Sequence, residues 1–233
     1  MNRTPILICV LLFCSWSAVA NAQTVLGIGP GFFIEDSDLS AEEQASVELR
    51  DESFAYTSDG FLSGSIYIMK DWTESLRLGG QVTYYGTYSA SVTPEGDNND
   101  EEPQIYEFGR LLEISARIEY LLPVTDTVDI ALGGMAGFPI LIPDGDFQAE
   151  IDRLKDQEVG VFDLPRVGYL LSPVFGARYK YSDHLYFRGD LLFKWEQLFL
   201  FRTTEEVQSI PFRKTWSTST LRSEFALGIE VVL

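Results

Sequence analysis

The clearest signal along the chain is alternation. In residues 112–120, Leu112, Ile114, Ala116, Ile118 and Tyr120 fall on one side, and Glu113, Ser115, Arg117 and Glu119 on the other. Residues 185–195 repeat it, with Leu185, Phe187, Gly189, Leu191, Phe193 and Trp195 set against Tyr186, Arg188, Asp190, Leu192 and Lys194. The C-terminal stretch does so again, with Leu221, Phe225, Leu227, Ile229, Val231 and Leu233 in register and Arg222, Glu224 and Glu230 between them. A period of two belongs to a strand with two unlike faces. Extended along the chain, it predicts eight strands, at 24–34, 60–70, 75–88, 105–121, 127–140, 167–181, 185–201 and 216–233.

The connections alternate as well. Tight turns are expected at 71–74, 122–126 and 182–184, and long loops at 35–59, 89–104, 141–166 and 202–215. Most of the strands reach the roughly 9–11 residues that a tilted strand needs to cross a bilayer. Short turns on one rim, long loops on the other and an even strand number predict an all-β fold. The expected architecture is an eight-stranded antiparallel up-and-down transmembrane β-barrel over residues 23–233, with both termini on the periplasmic side. A soluble up-and-down barrel, such as a lipocalin-like ligand carrier, has the same period. The two differ in which row faces inward.

Charge bears on that choice. The polar rows carry Arg77, Arg117, Arg178, Lys180, Arg188, Lys194 and Arg222, and also Glu113, Glu119, Asp129, Asp190, Glu196, Glu224 and Glu230. Equal numbers of each sign suit a narrow interior, where unpaired charge is costly and paired charge is tolerated. Eight strands leave a lumen that side chains can just fill. The opposite rows are aliphatic and aromatic, as a lipid-facing wall requires. The polar rows are therefore expected to form a lumen charge network, with Gly79, Gly133, Gly137 and Gly176 leaving local space beside it. Trp72, Tyr120, Tyr179, Tyr181 and Phe187 near the tight turns suit one interfacial girdle. Tyr84, Tyr85, Tyr88, Tyr106, Phe108, Phe199, Phe201 and Trp216 near the loops suit a second.

Residues 1–22 read as an address. Arg3 is followed by an apolar run at 6–13 and by Ala20-Asn21-Ala22, the pattern of a cleaved secretory signal. The apolar run is too short for a membrane helix. Both cysteines, Cys9 and Cys14, lie in this segment, so the exported chain is expected to hold no disulfide.

With Tyr186-Phe187-Arg188-Gly189-Asp190-Leu191 as a late strand, the chain resembles the small OmpA-like and OmpX-like outer-membrane barrels of Gram-negative bacteria. The last strand is similar to that family's assembly signal at Gly228, Val231 and Leu233. It departs from the pattern at Ala226, where a polar residue is usual, and in ending on Leu233 rather than an aromatic. The resemblance implies escort by periplasmic chaperones and insertion by the barrel-assembly machinery. It also implies residence in the outer membrane as a monomer, with the lipid bilayer and lipopolysaccharide as surroundings.

Thirty-five acidic residues against seventeen basic ones give a net charge of −18, which excludes the basic footprint of a nucleic-acid binder. The acids concentrate in the first three expected loops. Asp97, Asp100, Glu101 and Glu102 offer oxygen ligands for a divalent cation such as calcium, although their spacing is not that of an EF-hand. Solubility and mutual repulsion are the simpler use of such charge. Two short helices are expected in the loops. One starts at the capping-box pattern of residues 40–43. The other covers 147–157, capped by Asp146, with Phe147, Ile151 and Leu154 on one face to close over the barrel mouth.

The only histidine, His184, falls in the Ser182-Asp183-His184 turn on the expected periplasmic rim, whereas a Ser-His relay needs its histidine beside a nucleophile on the extracellular side or the lipid rim. No enzymatic activity and no cofactor are therefore expected. The expected role is a structural or surface-interaction one, in adhesion or envelope integrity, with a charge-paired lumen. The main alternative is a narrow channel for ions or small solutes, followed by a secreted carrier.

Overall fold

The computed structural model describes residues 23–44, 49–58, 61–92, 104–161, 164–207 and 210–233. The expected signal at 1–22 and the acidic run of Asp97, Asp100, Glu101 and Glu102 lie outside the described residues.

The strands are β1 (Thr24–Gln44), β2 (Leu49–Ser58), β3 (Leu62–Asp71), β4 (Leu76–Val92), β5 (Gln104–Pro123), β6 (Val128–Pro143), β7 (Arg166–Lys180), β8 (Leu185–Val207) and β9 (Ile210–Val232). One helix, α1 (Gly145–Asp156), follows β6. Each strand from β3 onward pairs antiparallel with the next, and β9 returns to β1, closing the ring. β2 and β3 together make one stave. β3 pairs with the first part of β1, from Thr24↔Lys70 to Phe32↔Leu62, and β2 with its outer part, from Ser37↔Tyr56 to Gln44↔Leu49. The result is an eight-stave antiparallel up-and-down barrel.

The orientation of the rows is unambiguous. Arg117, Arg188 and Glu224 are each 3% exposed, whereas Ile114, Phe193 and Leu227 are 45%, 48% and 47% exposed. An apolar belt of Leu26, Ile28, Ile66, Val82, Leu171 and Phe175, among others, runs around the outside. Only a closed ring can present such a face to hydrocarbon, because every backbone N–H and C=O is then paired within the wall. Among the described residues, no helix is long and apolar enough to cross a membrane; the crossing is made by strands.

The strands run beyond the expected boundaries. Residues 35–44, expected in a loop, continue β1, and β8 and β9 extend through most of 202–215. The expected capping-box helix at residues 40–43 is strand instead. Ser40, Ala41, Glu42 and Glu43 pair with Ser217, Trp216, Thr215 and Lys214 of β9. Pairing with β2 on one side and β9 on the other satisfies backbone groups that an isolated helical turn would leave to water.

Candidate functional site

The interior is layered. At the tight-turn end, Val25, Tyr67, Met69 and Val232 form a small apolar floor. Directly above is the first ionic layer. Glu230 is its centre, accepting from Arg178 Nε (2.6 Å), Arg188 Nη1 (2.8 Å) and the Tyr67 hydroxyl (3.0 Å). Glu119 accepts from Arg117 Nε and from both terminal nitrogens of Arg188. Asp190 accepts from Arg117 Nη2 (2.6 Å) and Arg188 Nε (2.8 Å). Arg77 reaches Asp71 (2.6 Å), and Arg178 reaches Asp129 (3.1 Å); both acids lie at the wetter rim.

Between this and a second ionic layer lie Met135, Val174 and Leu192 on β6, β7 and β8 and the buried polar side chains of Gln81, Thr83 and Ser115 on β4 and β5; Gln81 accepts from Arg117 Nη1 (2.6 Å) and donates to Thr83 (3.0 Å). There Arg222 Nη1 donates to Glu113 (2.8 Å) and Glu196 (3.0 Å), and its Nε donates to Glu35 (2.8 Å). Lys194 Nζ contacts Glu113 (2.8 Å), Glu224 (2.7 Å) and the Tyr85 hydroxyl. Glu224 also accepts from Ser63 and from Tyr85.

Above the second layer, Phe33, Tyr88, Phe108, Leu111, Leu141, Leu198, Leu200 and Phe201 form an apolar plug with Phe147, Ile151 and Leu154 of α1. The helix therefore closes the mouth through the three residues its spacing marked. Its N-cap is Asp144, whose side chain accepts from Gly145 N; Asp146, the expected cap, accepts from Glu107 N on β5 (2.9 Å) instead. Lys214 on β9 donates to Glu150 of α1 (2.6 Å) while lying over the Trp216 ring (4.2 Å). Burial alone would raise the Glu150 carboxyl, but hydrogen bonds from Arg153 and Lys214 outweigh it and hold the group below the usual carboxylate range.

Of the expected network, Arg77, Glu113, Arg117, Glu119, Asp129, Arg178, Arg188, Asp190, Lys194, Glu196, Arg222, Glu224 and Glu230 converge in these two layers. Lys180 does not. It is 37% exposed and pairs with Asp183 in the following turn (2.8 Å), because its row has reached the water-facing rim. Glu35 and Asp71 join, and the equal count of charges does not hold. Six cations meet nine carboxylates, two of them the rim acids. The hydroxyls of Tyr67, Tyr85 and Ser63 supply the remaining donors, a contribution that charge counting overlooks.

The inward glycines leave no space. A Cβ on Gly176 would overlap the Asp190 carboxylate, and one on Gly79, Gly133 or Gly137 would overlap the carbonyl of the adjacent strand. Their role is close approach in a tightly curved wall. Half of the expected loop-side girdle is also inside: Tyr85, Tyr88, Phe108 and Phe201 are buried. Tyr85 continues the inward row of Gln81 and Thr83, and register shifts at Tyr84/Gly86, Tyr88/Ser89 and Phe199/Phe201 turn Tyr88, Phe108 and Phe201 inward. The tight-turn girdle, from Trp72 to Phe187, faces out. Gly228 sits on the inward row of β9, and Val231 and Leu233 face outward. His184 lies in an exposed turn. Among the described residues, no group of three or more His, Cys, Asp or Glu side chains is arranged to hold a metal.

Closed ring, apolar exterior and ionic interior define an outer-membrane-type transmembrane β-barrel. No protein-family model matches the chain, and no curated protein matches it. Solved structures do. The outer membrane protein OprG from Pseudomonas aeruginosa is similar at 10% identity, with 91% of this chain and 96% of that chain covered and a TM-score of 0.50. AlkL, solved in lipid bilayers, is similar at 11% identity, with 91% and 90% covered and a TM-score of 0.46. The outer membrane protease OmpT from Escherichia coli is similar at 8% identity, with 91% and 97% covered and a TM-score of 0.45. The OprG likeness supports the barrel fold; at such identities a likeness extends to fold and not to activity.

Proposed function

We propose that this chain is a sealed integral barrel of the Gram-negative outer membrane, exported by a cleaved signal, whose role is structural or one of surface interaction. The observation that carries this reading is the continuous filling of the lumen. Among the described residues, two ionic layers, the level of Leu192 and Gln81 between them and a helix-capped plug fill the cross-section, with a cavity of only about 10 Å³ beside Tyr67, Gln81 and Arg117. A diffusion channel needs a hydrated lumen, and an eight-stave ring crossed by Arg222, Lys194, Arg188 and Arg117 has its cross-section occupied. What remains for function is the wall, which meets lipid, and the tall loop-side rim, which projects from it. On this reading the rim is the extracellular end and the tight turns are periplasmic.

Planar-bilayer recording of the refolded protein tests the proposal. Electrical silence, together with heat-modifiable gel mobility and protease cleavage of the loops on intact cells, is the expected result. Stable unitary openings would replace it with the narrow-channel reading.

A further inference from the structure

The lipid-facing belt has a notch where β1, β9 and β8 lie side by side. The outward row of β9 reads Leu221, Ser223, Phe225, Leu227, Ile229 and Val231, and Ser223 is the small, polar member of that row. Across the ladders Ser223 pairs with Ile34 of β1 and Phe193 of β8, and Phe225 pairs with Phe32 and Leu191. One short side chain among these large ones leaves a cleft of about 290 Å³ that opens outward. Two rows deeper is Gly189, paired with Leu227. A Cβ there would meet only the side chains of Leu227 and Phe225, at 3.7 and 3.8 Å. Unlike the inward glycines, Gly189 is not demanded by a neighbouring carbonyl, and the wall beneath the cleft stays low.

Two features say what fills the cleft. The first is the hydroxyl. Ser223 is exposed, and among the described residues its side chain has no hydrogen-bond partner. Hydrocarbon offers a hydroxyl no acceptor, so leaving it bare is unfavourable. Its depth matters. The row above joins Asp36, Leu221 and Trp195, and Trp195 packs edge-on to Tyr169 (5.6 Å). Exposed Trp and Tyr mark the headgroup level of a bilayer. Ser223 lies two residues further in, about 5 Å deeper along a tilted strand, where the acyl ester carbonyls of a lipid sit. The second feature is charge. Asp36 and, one row higher, Asp38 are exposed above the cleft, and their outward neighbours Ser219 and Gln197 carry no charge. On the strand lattice Asp36 and Ser223 are about 8 Å apart, comparable with the span from the ammonium of a phospholipid to its ester carbonyl.

We propose that the cleft binds one ester-linked lipid with an ammonium head. The Ser223 hydroxyl donates to an ester carbonyl, Asp36 and Asp38 receive the ammonium, and Phe32, Phe193 and Phe225 hold the first methylenes. The cleft is continuous with the lipid-facing belt, so its occupant comes from the bilayer, and the two acids disfavour a polyanionic head such as that of lipopolysaccharide. The inference rests on the membrane reading above and not on which end is extracellular.

Native mass spectrometry of the full refolded chain in detergent tests it, with phosphatidylethanolamine as the probe. The diether analogue, with the same head and chains but no carbonyl, is expected to bind about fivefold more weakly, the worth of one net hydrogen bond. Phosphatidylglycerol with the same ester-linked chains should also bind more weakly. Ser223→Ala should abolish the difference between ester and ether, and Asp36→Asn should narrow the preference over phosphatidylglycerol. Ser223→Leu fills the cleft and should weaken binding by about tenfold. Ile118→Ala, on β5 across the barrel, should match the unaltered chain. Diether binding within about twofold of diester, a Ser223→Leu affinity within about twofold of the original, or equal binding of phosphatidylglycerol or lipopolysaccharide would each overturn the proposal. Every variant alters an outward side chain, and a barrel that fails to insert would show in heat-modifiable mobility before lipid is added, so failure of the membrane reading is distinguishable from failure of this one.

Discussion

Glu230 is the residue whose loss should reveal most about how the lumen is held. It is fully buried and receives Arg178 Nε (2.6 Å), Arg188 Nη1 (2.8 Å) and the Tyr67 hydroxyl (3.0 Å), with Arg77 Nη1 at 3.6 Å. Glu230→Gln keeps the shape but removes the charge and turns one acceptor into an NH2 donor facing guanidinium donors. Breaking a buried ion pair from one side costs about 3–5 kcal/mol, because the partner charge stays behind unpaired. Here several partners stay behind, but Glu119, Asp190, Asp129 and Asp71 still neutralise part of the layer, so about 3 kcal/mol is expected. Urea titration in lipid vesicles, read by heat-modifiable mobility, measures it. Arg178→Met combined with Glu230→Gln should recover part of the loss, giving a coupling energy of the kind expected for contacting groups. Lys180→Met serves as the control: its ion pair with Asp183 is at the exposed rim, and the midpoint should not move. A Glu230→Gln variant within about 1 kcal/mol of the original chain would refute the claim that the ionic layer depends on full pairing.

Three further outcomes follow from the same geometry. Leu227→Arg places a cation on the belt and should destabilise the inserted barrel by about 2–4 kcal/mol in vesicles, whereas a water-facing site would tolerate it. Gly27→Val drives a side chain into the Tyr67 ring; overpacking of this kind costs about 1–3 kcal/mol, and adding Tyr67→Ser should restore part of the urea midpoint. The third concerns acid. The folded Glu150 carboxyl is held below its ordinary range, so its contribution to seating α1 is present at neutral pH and is lost as pH falls through that lowered value. A spin label at Asp152 should gain mobility over that interval, and Lys214→Met should flatten the transition.

The membrane-level wall was legible in the sequence because nothing interrupts its period of two. Between Leu112 and Tyr120, every odd residue enters the lumen and every even one meets lipid, so parity alone identified Arg117 and Glu119 as neighbours. Parity failed where the backbone adds a residue. Tyr85 keeps the inward parity of Gln81 and Thr83, but the shift at Tyr84/Gly86 turns Tyr88 inward as well; no propensity marks that bulge in advance. It failed again where a strand leaves the membrane. In residues 36–42, Ser37, Leu39 and Ala41 face inward while Asp36, Asp38 and Ser40 face water. A row holding one large apolar side chain does not stand out against an acidic background. Its strand identity comes from pairing with β9, nearly two hundred residues away in sequence, which local pattern cannot see.

Glu35 shows why such misses matter energetically. Read as a loop acid it adds to surface charge; placed on β1 it meets Arg222 Nε at 2.8 Å inside the second layer. Among the described residues, that layer then sets Glu35, Glu113, Glu196 and Glu224 against Arg222 and Lys194. Buried carboxyl groups in excess of cations are sustained only when neutral donors take up their lone pairs. Ser63 and Tyr85 do this for Glu224, as Tyr67 does for Glu230 one layer below. Sealing the barrel is therefore the work of charge pairs and hydroxyls together. Tyr67→Phe and Tyr85→Phe remove no charge at all, and yet each leaves a buried carboxylate short of a donor.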